Sequence, residues 1–165
     1  MEINEFEKSI AKLIVYNNFT IIKLLLENKY LSYDLFFKIS KGIFEQKIKY
    51  NFQHLYLAER GMLPKIITNS TSILIEEYYD DDTIQYLLTK LIKSLKRETI
   101  KEKNNAIPTI RKLIELGGEI FPKIIIHAPT DIFLENATPE MFLEYNNFKK
   151  CVRYADDEIS NWLID

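Results

Sequence analysis

The densest group of side chains that could do chemistry is an acidic segment near the middle of this 165-residue sequence. Five carboxylates and two tyrosines fill the seven positions from 76 to 82: Glu76, Glu77, Tyr78, Tyr79, Asp80, Asp81 and Asp82. A calcium loop beginning at Asp80 would need glycine at its sixth position and glutamate at its twelfth, where the chain has Gln85 and Leu91. Two interpretations stay open. The carboxylates cap the following helix, or they form an anionic surface for a basic partner, with the tyrosines as rigid contact area.

The residue types that most often carry catalysis are scarce. His54 and His127 are the only imidazoles and Cys151 is the only thiol, and none of them lies in a nucleophile or metal-binding motif. The four glycines are not spaced as a phosphate-binding loop requires. We therefore predict no catalytic residues, no cofactor and no metal site. A small enzyme that uses carboxylates in a cleft between helices stays open as the alternative.

A smaller acidic group precedes the only tryptophan of the chain. Asp156 and Asp157 lie just before a helical pattern that contains Trp162. Packing of this last helix onto the preceding one is one interpretation, and a half-exposed tryptophan that anchors a partner is the other. We add these three residues to the acidic segment as candidate partner-binding residues.

Composition and charge narrow the class of partner. The formal net charge is −2, with acidic and basic residues interleaved along most of the chain, and glutamates interrupt the basic series between Lys90 and Lys103. Such a pattern does not favour a nucleic-acid partner. No apolar stretch approaches the length of a membrane span, and the first residues do not resemble a signal peptide. A single cysteine suits a reducing compartment. We predict a cytoplasmic protein whose partner is another protein with a basic surface, and no membrane association.

Apolar residues recur at helical spacing almost throughout, so the fold class is predicted to be all-α. Start and stop signals predict helices from Phe6 to Ile14, from Thr20 to Glu27, after Ser32, from Phe52 to Leu57, at Pro64, after the Asp80 to Thr83 run, from Pro108 to Leu116, at Pro139 and from Val152 to Leu163. The helix after Thr83 turns polar through Lys103. Gly117 and Gly118 close the helix that begins at Pro108, and a short apolar element spans 124–126.

The turns between these helices recur at a near-constant interval. Asn18, Gly61, Asn105 and Asn147 are separated by 43, 44 and 42 residues, and prolines follow Gly61 and Asn105 by three positions. The spacing predicts about four repeats of roughly 43 residues each, in a single domain over 1–165. Because one helical hairpin cannot bury its own apolar face, the repeats are expected to stack into a short α-solenoid.

Two resemblances follow from these segments. Residues 57–61 (LAERG), 138–142 (TPEMF) and 146–148 (NNF) look like degenerate ankyrin-type helix pairs, and the period is closer to that of HEAT or armadillo repeats. Residues 75–88, an acidic loop followed by an apolar helix, are similar to a motif in helical immunity proteins of bacterial toxin systems. The second resemblance implies a non-enzymatic inhibitor that occludes a cognate toxin.

Together these features predict a non-enzymatic protein-binding module, in its most specific form an immunity-type inhibitor. An alternative within the same class is a degenerate ankyrin-like adaptor of a virus or intracellular bacterium. Such an adaptor would recruit a host protein through the concave face of the solenoid.

Overall fold

The computed structural model describes residues 3–47, 61–78 and 80–164. Every regular element within these ranges is helical, which confirms the all-α prediction. Two compact units make up the chain, an N-terminal unit of Met1–Asp80 and a C-terminal unit of Asp81–Asp165. The prediction of a single repeat domain stays a prediction.

The N-terminal unit contains four described helices. They are α1 (Glu5–Val15), α2 (Phe19–Glu27), α3 (Tyr33–Phe44) and α4 (Met62–Glu77). Ser32 caps α3 as predicted, because its side chain accepts a hydrogen bond from the backbone N–H of Leu35 at 3.1 Å. Helix α1 packs against the other three, and the core between them consists of branched and aromatic side chains, including Ile14, Phe36 and Ile66. The helix predicted from Phe52 to Leu57 lies outside the described residues.

The C-terminal unit contains seven α-helices and one 3₁₀ turn within its described residues. They are α5 (Asp81–Ser94), α6 (Ile100–Asn105), α7 (Ile107–Glu115), α8 (Pro122–Ile125), α9 (Thr130–Asn136), the 3₁₀ turn Pro139–Phe142, α10 (Tyr145–Tyr154) and α11 (Asp157–Ile164). Helix α5 packs against α7 and α8, while α9 packs against α7 and α11. Fully buried side chains such as Leu91, Leu113 and Phe133 form the core of this unit.

The glycine pair after α7 ends that helix as predicted. Gly117 has a φ of 109°, a conformation that is cheap only for glycine, and its N–H donates to the carbonyl of Ile114. The N–H of Gly118 donates to the carbonyl of Leu113 at 2.9 Å. Gly118 also lies against Leu88 of α5, so closely that a Cβ atom there would come within 2.7 Å of the Leu88 Cδ2 atom.

Three predicted helices have different bounds in the structure. The polar continuation to Lys103 is a separate helix, α6, which starts because the Thr99 side chain accepts from the N–H of Glu102. The helix predicted from Pro139 is only a 3₁₀ turn, since Glu144 takes an extended backbone and α10 begins after it. The helix predicted from Val152 to Leu163 is two helices, because the backbone is extended at Ala155. Helix α9 was not predicted at all.

Three of the four residues predicted to mark repeat turns lie at the start or the end of a described helix. Asn18 precedes α2, Gly61 precedes α4, and Asn105 is the last residue of α6. Asn147 lies inside α10, so a turn there was a wrong prediction. Asparagine is tolerated in the first turn of a helix, and the Asn147 side chain donates to the carbonyl of Met141 at 3.3 Å. The α-solenoid stays a prediction.

Candidate protein-binding site with an acidic surface and a tyrosine pair

The acidic segment predicted from the sequence begins in one unit and ends in the other. Glu76 and Glu77 are exposed in the last turn of α4, and Tyr78 is the half-buried residue that ends this helix. Asp80 is exposed at the end of the N-terminal unit. Tyr79 lies outside the described residues.

Asp81 and Asp82 belong to the C-terminal unit. Both are exposed in the first turn of α5, where carboxylates complement the partial positive charge of a helix N-terminus. The next two residues, Thr83 and Ile84, are buried. This placement agrees with the helix-start interpretation, and a partner-binding role for the two aspartates stays a prediction.

Tyr78 packs onto α3 within the N-terminal unit. Its ring stacks on that of Tyr33, with centroids 6.4 Å apart and planes 11° from parallel. It also makes a tilted contact with Phe37 at 5.9 Å. The Tyr78 hydroxyl donates a hydrogen bond to Asp34, which is the largest cause that raises the pKa of this phenol. Ring packing and the hydrogen bond together hold Tyr78 in one orientation.

Tyr33, at the start of α3, is likewise held by a hydrogen bond to a carboxylate, which belongs to α4. Its hydroxyl donates to Oε2 of Glu77 at 3.2 Å. Burial raises the pKa of Tyr33, and the negative charges of Glu77, Glu76 and Glu27 raise it further. The two tyrosines therefore connect the start of α3 to the end of α4 through two phenol-to-carboxylate hydrogen bonds.

Six side chains of the N-terminal unit make up what we term the acidic tyrosine surface: Glu27, Tyr33, Asp34, Glu76, Glu77 and Tyr78. No described lysine or arginine forms an ion pair with any of its four carboxylates. Each of the four is exposed. Two of the four, Asp34 and Glu77, accept a hydrogen bond from a tyrosine hydroxyl.

Sequence reasoning missed half of this surface. Glu27, Tyr33 and Asp34 lie more than 40 positions before Glu77 in the chain, and no local pattern links them to the acidic segment. One signal was available, since the Ser32 cap places Tyr33 and Asp34 in the first turn of a helix. The packing of α3 against α4, which brings the two groups together, is a tertiary contact.

The acidic group before the tryptophan has defined structural contacts. Asp156 caps α11 by accepting from the N–H of Ile159 at 2.9 Å, and it also accepts from the Thr130 hydroxyl. Asp157 is exposed in the first turn of α11. Trp162 is half-buried and packs edge-to-face on Phe133 at 5.4 Å. The packing interpretation accounts for Asp156 and Trp162, and partner binding by the three predicted residues stays a prediction.

His127 and Cys151 are both buried in the C-terminal unit. Nδ1 of His127 has no hydrogen-bond partner within the described structure, and its ring makes an edge contact with Tyr154 at 5.1 Å. Burial lowers the pKa of His127 from its usual 6.5 to about 4, with smaller contributions from the positive charges of Lys96, Lys103 and Lys150. Burial raises the pKa of the Cys151 thiol to about 11. At neutral pH the imidazole is uncharged and the thiol is protonated.

The lowered pKa of His127 predicts a loss of stability in mild acid. In the unfolded chain His127 is protonated as the pH falls through about 6.5, whereas in the folded chain its protonation begins only near pH 4. The contribution of His127 is therefore complete above pH 6.5 and is lost as the pH falls through this window. We expect the free energy of unfolding to be about 2 kcal/mol lower at pH 5 than at pH 8. Urea denaturation at a series of pH values measures it.

The matched variant for this experiment is His127→Leu, which has no titrating group at the position. Its free energy of unfolding should vary much less between pH 8 and pH 5. An equally steep pH dependence in the variant would show that other groups are responsible.

Nowhere among the described residues do three or more His, Cys, Asp or Glu side chains group so as to hold a metal ion. None of the described helices is long and apolar enough to cross a membrane.

Comparison with known proteins supplies no relative for this chain. No protein-family model matches the sequence, and no curated protein or solved structure is significantly similar to it. The ankyrin, HEAT and immunity-protein resemblances stay predictions.

Proposed function

We propose that this protein binds another protein through the acidic tyrosine surface, and that the partner presents a basic surface to it. The observation that carries the proposal is a set of exposed carboxylates with no described cation in ion-pair contact, arranged around two oriented tyrosines. A basic partner would relieve the repulsion among the carboxylates, which favours association.

The tyrosine pair supplies the contact area in this proposal. Tyr33 and Tyr78 are half-buried, so each exposes part of its ring while the rest is fixed by stacking and a hydrogen bond. A side chain that is already ordered loses little conformational entropy when a partner covers it. Tyrosine is also among the residue types enriched at binding hot spots.

The most specific form of the proposal is an immunity-type inhibitor that occludes a toxin. Inhibition by occlusion needs no chemistry from the inhibitor, and a charged, pre-ordered surface such as the acidic tyrosine surface favours fast and specific association. The stacked-repeat architecture stays a prediction, and so do the adaptor and carboxylate-enzyme alternatives.

Charge removal at the surface tests the proposal. We expect the double variant Glu76→Gln, Glu77→Gln to slow association with the partner at least several-fold at low ionic strength and much less at high ionic strength, because salt screens exposed charges. The variant should fold normally, since both side chains are exposed. Affinity capture with quantitative mass spectrometry at two salt concentrations identifies salt-sensitive partners, and surface plasmon resonance on the purified partner gives the association rates.

The control removes the same number of negative charges, two, from the C-terminal unit. Glu115→Gln, Glu119→Gln changes two exposed glutamates of the C-terminal unit and should leave the association rate nearly unchanged. Replacing Asp80, Asp81 and Asp82 by Asn tests the second half of the acidic segment separately from Glu76 and Glu77. This variant removes three charges without removing helix-capping side chains, because Asn also caps helices well. Equal association rates for the parent protein and the Glu76, Glu77 variant at low salt would refute the proposal.

The immunity-type form has its own test. Co-expression with the product of the neighbouring gene in a bacterial host should restore growth if that product is a toxin, and the Glu76, Glu77 variant should restore it less well. If the parent protein does not relieve the growth inhibition, the immunity-type form is rejected. The binding proposal is then tested by the association rates alone.

A further inference from the structure

Helix α10 exposes an apolar stripe to solvent. Tyr145, Phe148 and Val152 are 71, 42 and 53% exposed, and their spacing of three and four residues places them on one face of the helix. Cys151, three positions after Phe148 and so on the adjoining face of the helix, is buried and anchors α10 to the unit. Since α10 rises about 1.5 Å per residue, the stripe runs for roughly 10 Å.

The stripe continues into an open pocket of about 450 Å³. Phe148 belongs to both, and the other lining residues come from the 3₁₀ turn region and α11: Ala137, Pro139, Phe142, Trp162, Leu163 and Ile164. Leu143 and Ile164 are each 82% exposed at this end of the unit. We term the exposed stripe and the pocket together the α10 patch. An apolar patch of this kind, rimmed by charges, is typical of an interaction site.

Cations border the α10 patch along one edge. Lys149 lies four positions after Tyr145 and three before Val152, and Arg153 lies four positions after Lys149, so the two cations follow one edge of the stripe. Both are exposed. Lys150 is exposed farther round the same helix. None of the three forms an ion pair with a described carboxylate. One acidic residue, Glu144, lies at the N-terminal end of the stripe.

We propose that the α10 patch binds an amphipathic helix of a partner protein that carries glutamate or aspartate along one edge. Apolar anchors at positions i, i+3 and i+7 of the partner helix would match the length of the stripe, and the pocket has room for one large side chain among them. Carboxylates on the partner would lie opposite Lys149 and Arg153 and would fix its direction. This site is in the C-terminal unit and is independent of the acidic tyrosine surface.

Trp162 makes the proposal directly measurable. It is the only tryptophan of the chain and it lines the pocket, so its fluorescence reports occupation of the patch. The probe is a synthetic amphipathic helical peptide without tryptophan, with leucines at i, i+3, i+4 and i+7 and glutamates along both edges. A second peptide has lysines in place of the glutamates. Saturable change in Trp162 emission gives a Kd for each peptide.

We expect the glutamate peptide to bind about tenfold more tightly than the lysine peptide. Because the net charge of the protein is −2, attraction by the molecule as a whole would favour the lysine peptide instead. The double variant Lys149→Glu, Arg153→Glu should reverse the preference. The matched control is the double variant Lys101→Glu, Lys123→Glu, which makes the same change of net charge at two exposed lysines elsewhere in the C-terminal unit. This control should still bind the glutamate peptide more tightly than the lysine peptide.

The apolar part of the site is tested by Val152→Glu, which should weaken binding of the glutamate peptide at least tenfold. Circular dichroism should show an unchanged helix content, since Val152 is exposed. Equal affinity for both peptides, or no binding of either, would overturn the proposal. So would a Trp162 response to vesicles of anionic phospholipid that exceeds the response to the peptides, because that result would assign the patch to a membrane surface.

Discussion

Replacing Phe133 by alanine should lower the free energy of unfolding by about 3–5 kcal/mol. The Phe133 side chain is fully buried in α9, and it contacts Phe142 at 5.8 Å and Trp162 at 5.4 Å between ring centroids. Truncation removes these contacts and leaves a cavity between α9, the 3₁₀ turn and α11. All three elements would have to move to fill it. Urea denaturation followed by Trp162 fluorescence and by circular dichroism measures the change.

The matched control is Phe148→Ala, the same truncation at a position 42% exposed. Its cost should stay below about 1 kcal/mol, as is usual for exposed side chains. Equal losses in the two variants would mean that the aromatic cluster around Phe133 does not form the core of the C-terminal unit.

The second large effect is expected at Gly118. A Cβ atom there would come within 2.7 Å of Leu88 Cδ2 and 3.0 Å of the Leu113 carbonyl oxygen. Because Leu88 is fully buried, it cannot move without disturbing the core. Gly118→Val should therefore destabilise the protein by about 3 kcal/mol, near the upper end of the range for overpacking. Thermal and urea denaturation provide the measurement.

Gly117 distinguishes overpacking from backbone strain. No atom lies within 4 Å of a Cβ built at this position, but its φ of 109° is costly for any other residue. Gly117→Ala should cost about 1 kcal/mol, clearly less than Gly118→Val. A larger loss at Gly117 than at Gly118 would contradict the close approach of Gly118 to α5.

Elements controlled by neighbouring residues in the chain were predictable from the sequence. The Ser32 cap and the Gly117 stop act within one helical turn. Residue type and position were therefore enough to predict where α3 begins and where α7 ends. Helix α9 was missed because it has only seven residues and lies directly after Pro129, too short a stretch for apolar spacing to indicate.

The candidate site was predictable only in part, for a related reason. Glu76, Glu77 and Tyr78 are consecutive and stand out by residue type. The contact of Tyr33 with Tyr78 depends on how two helices pack, and that packing is decided by apolar core residues elsewhere in α3 and α4. Helical periodicity identifies the buried face of each helix but does not specify which exposed side chains will meet.

The burial of Cys151 has a practical consequence for site-specific labelling. With a pKa of about 11, only about one thiol in ten thousand is a thiolate at pH 7, and maleimide or iodoacetamide reagents react with the thiolate. A cysteine introduced at an exposed position would be labelled far faster than the native one. An acceptor dye attached there, with Trp162 as the single donor, would allow energy-transfer distances to be measured in an otherwise unmodified chain.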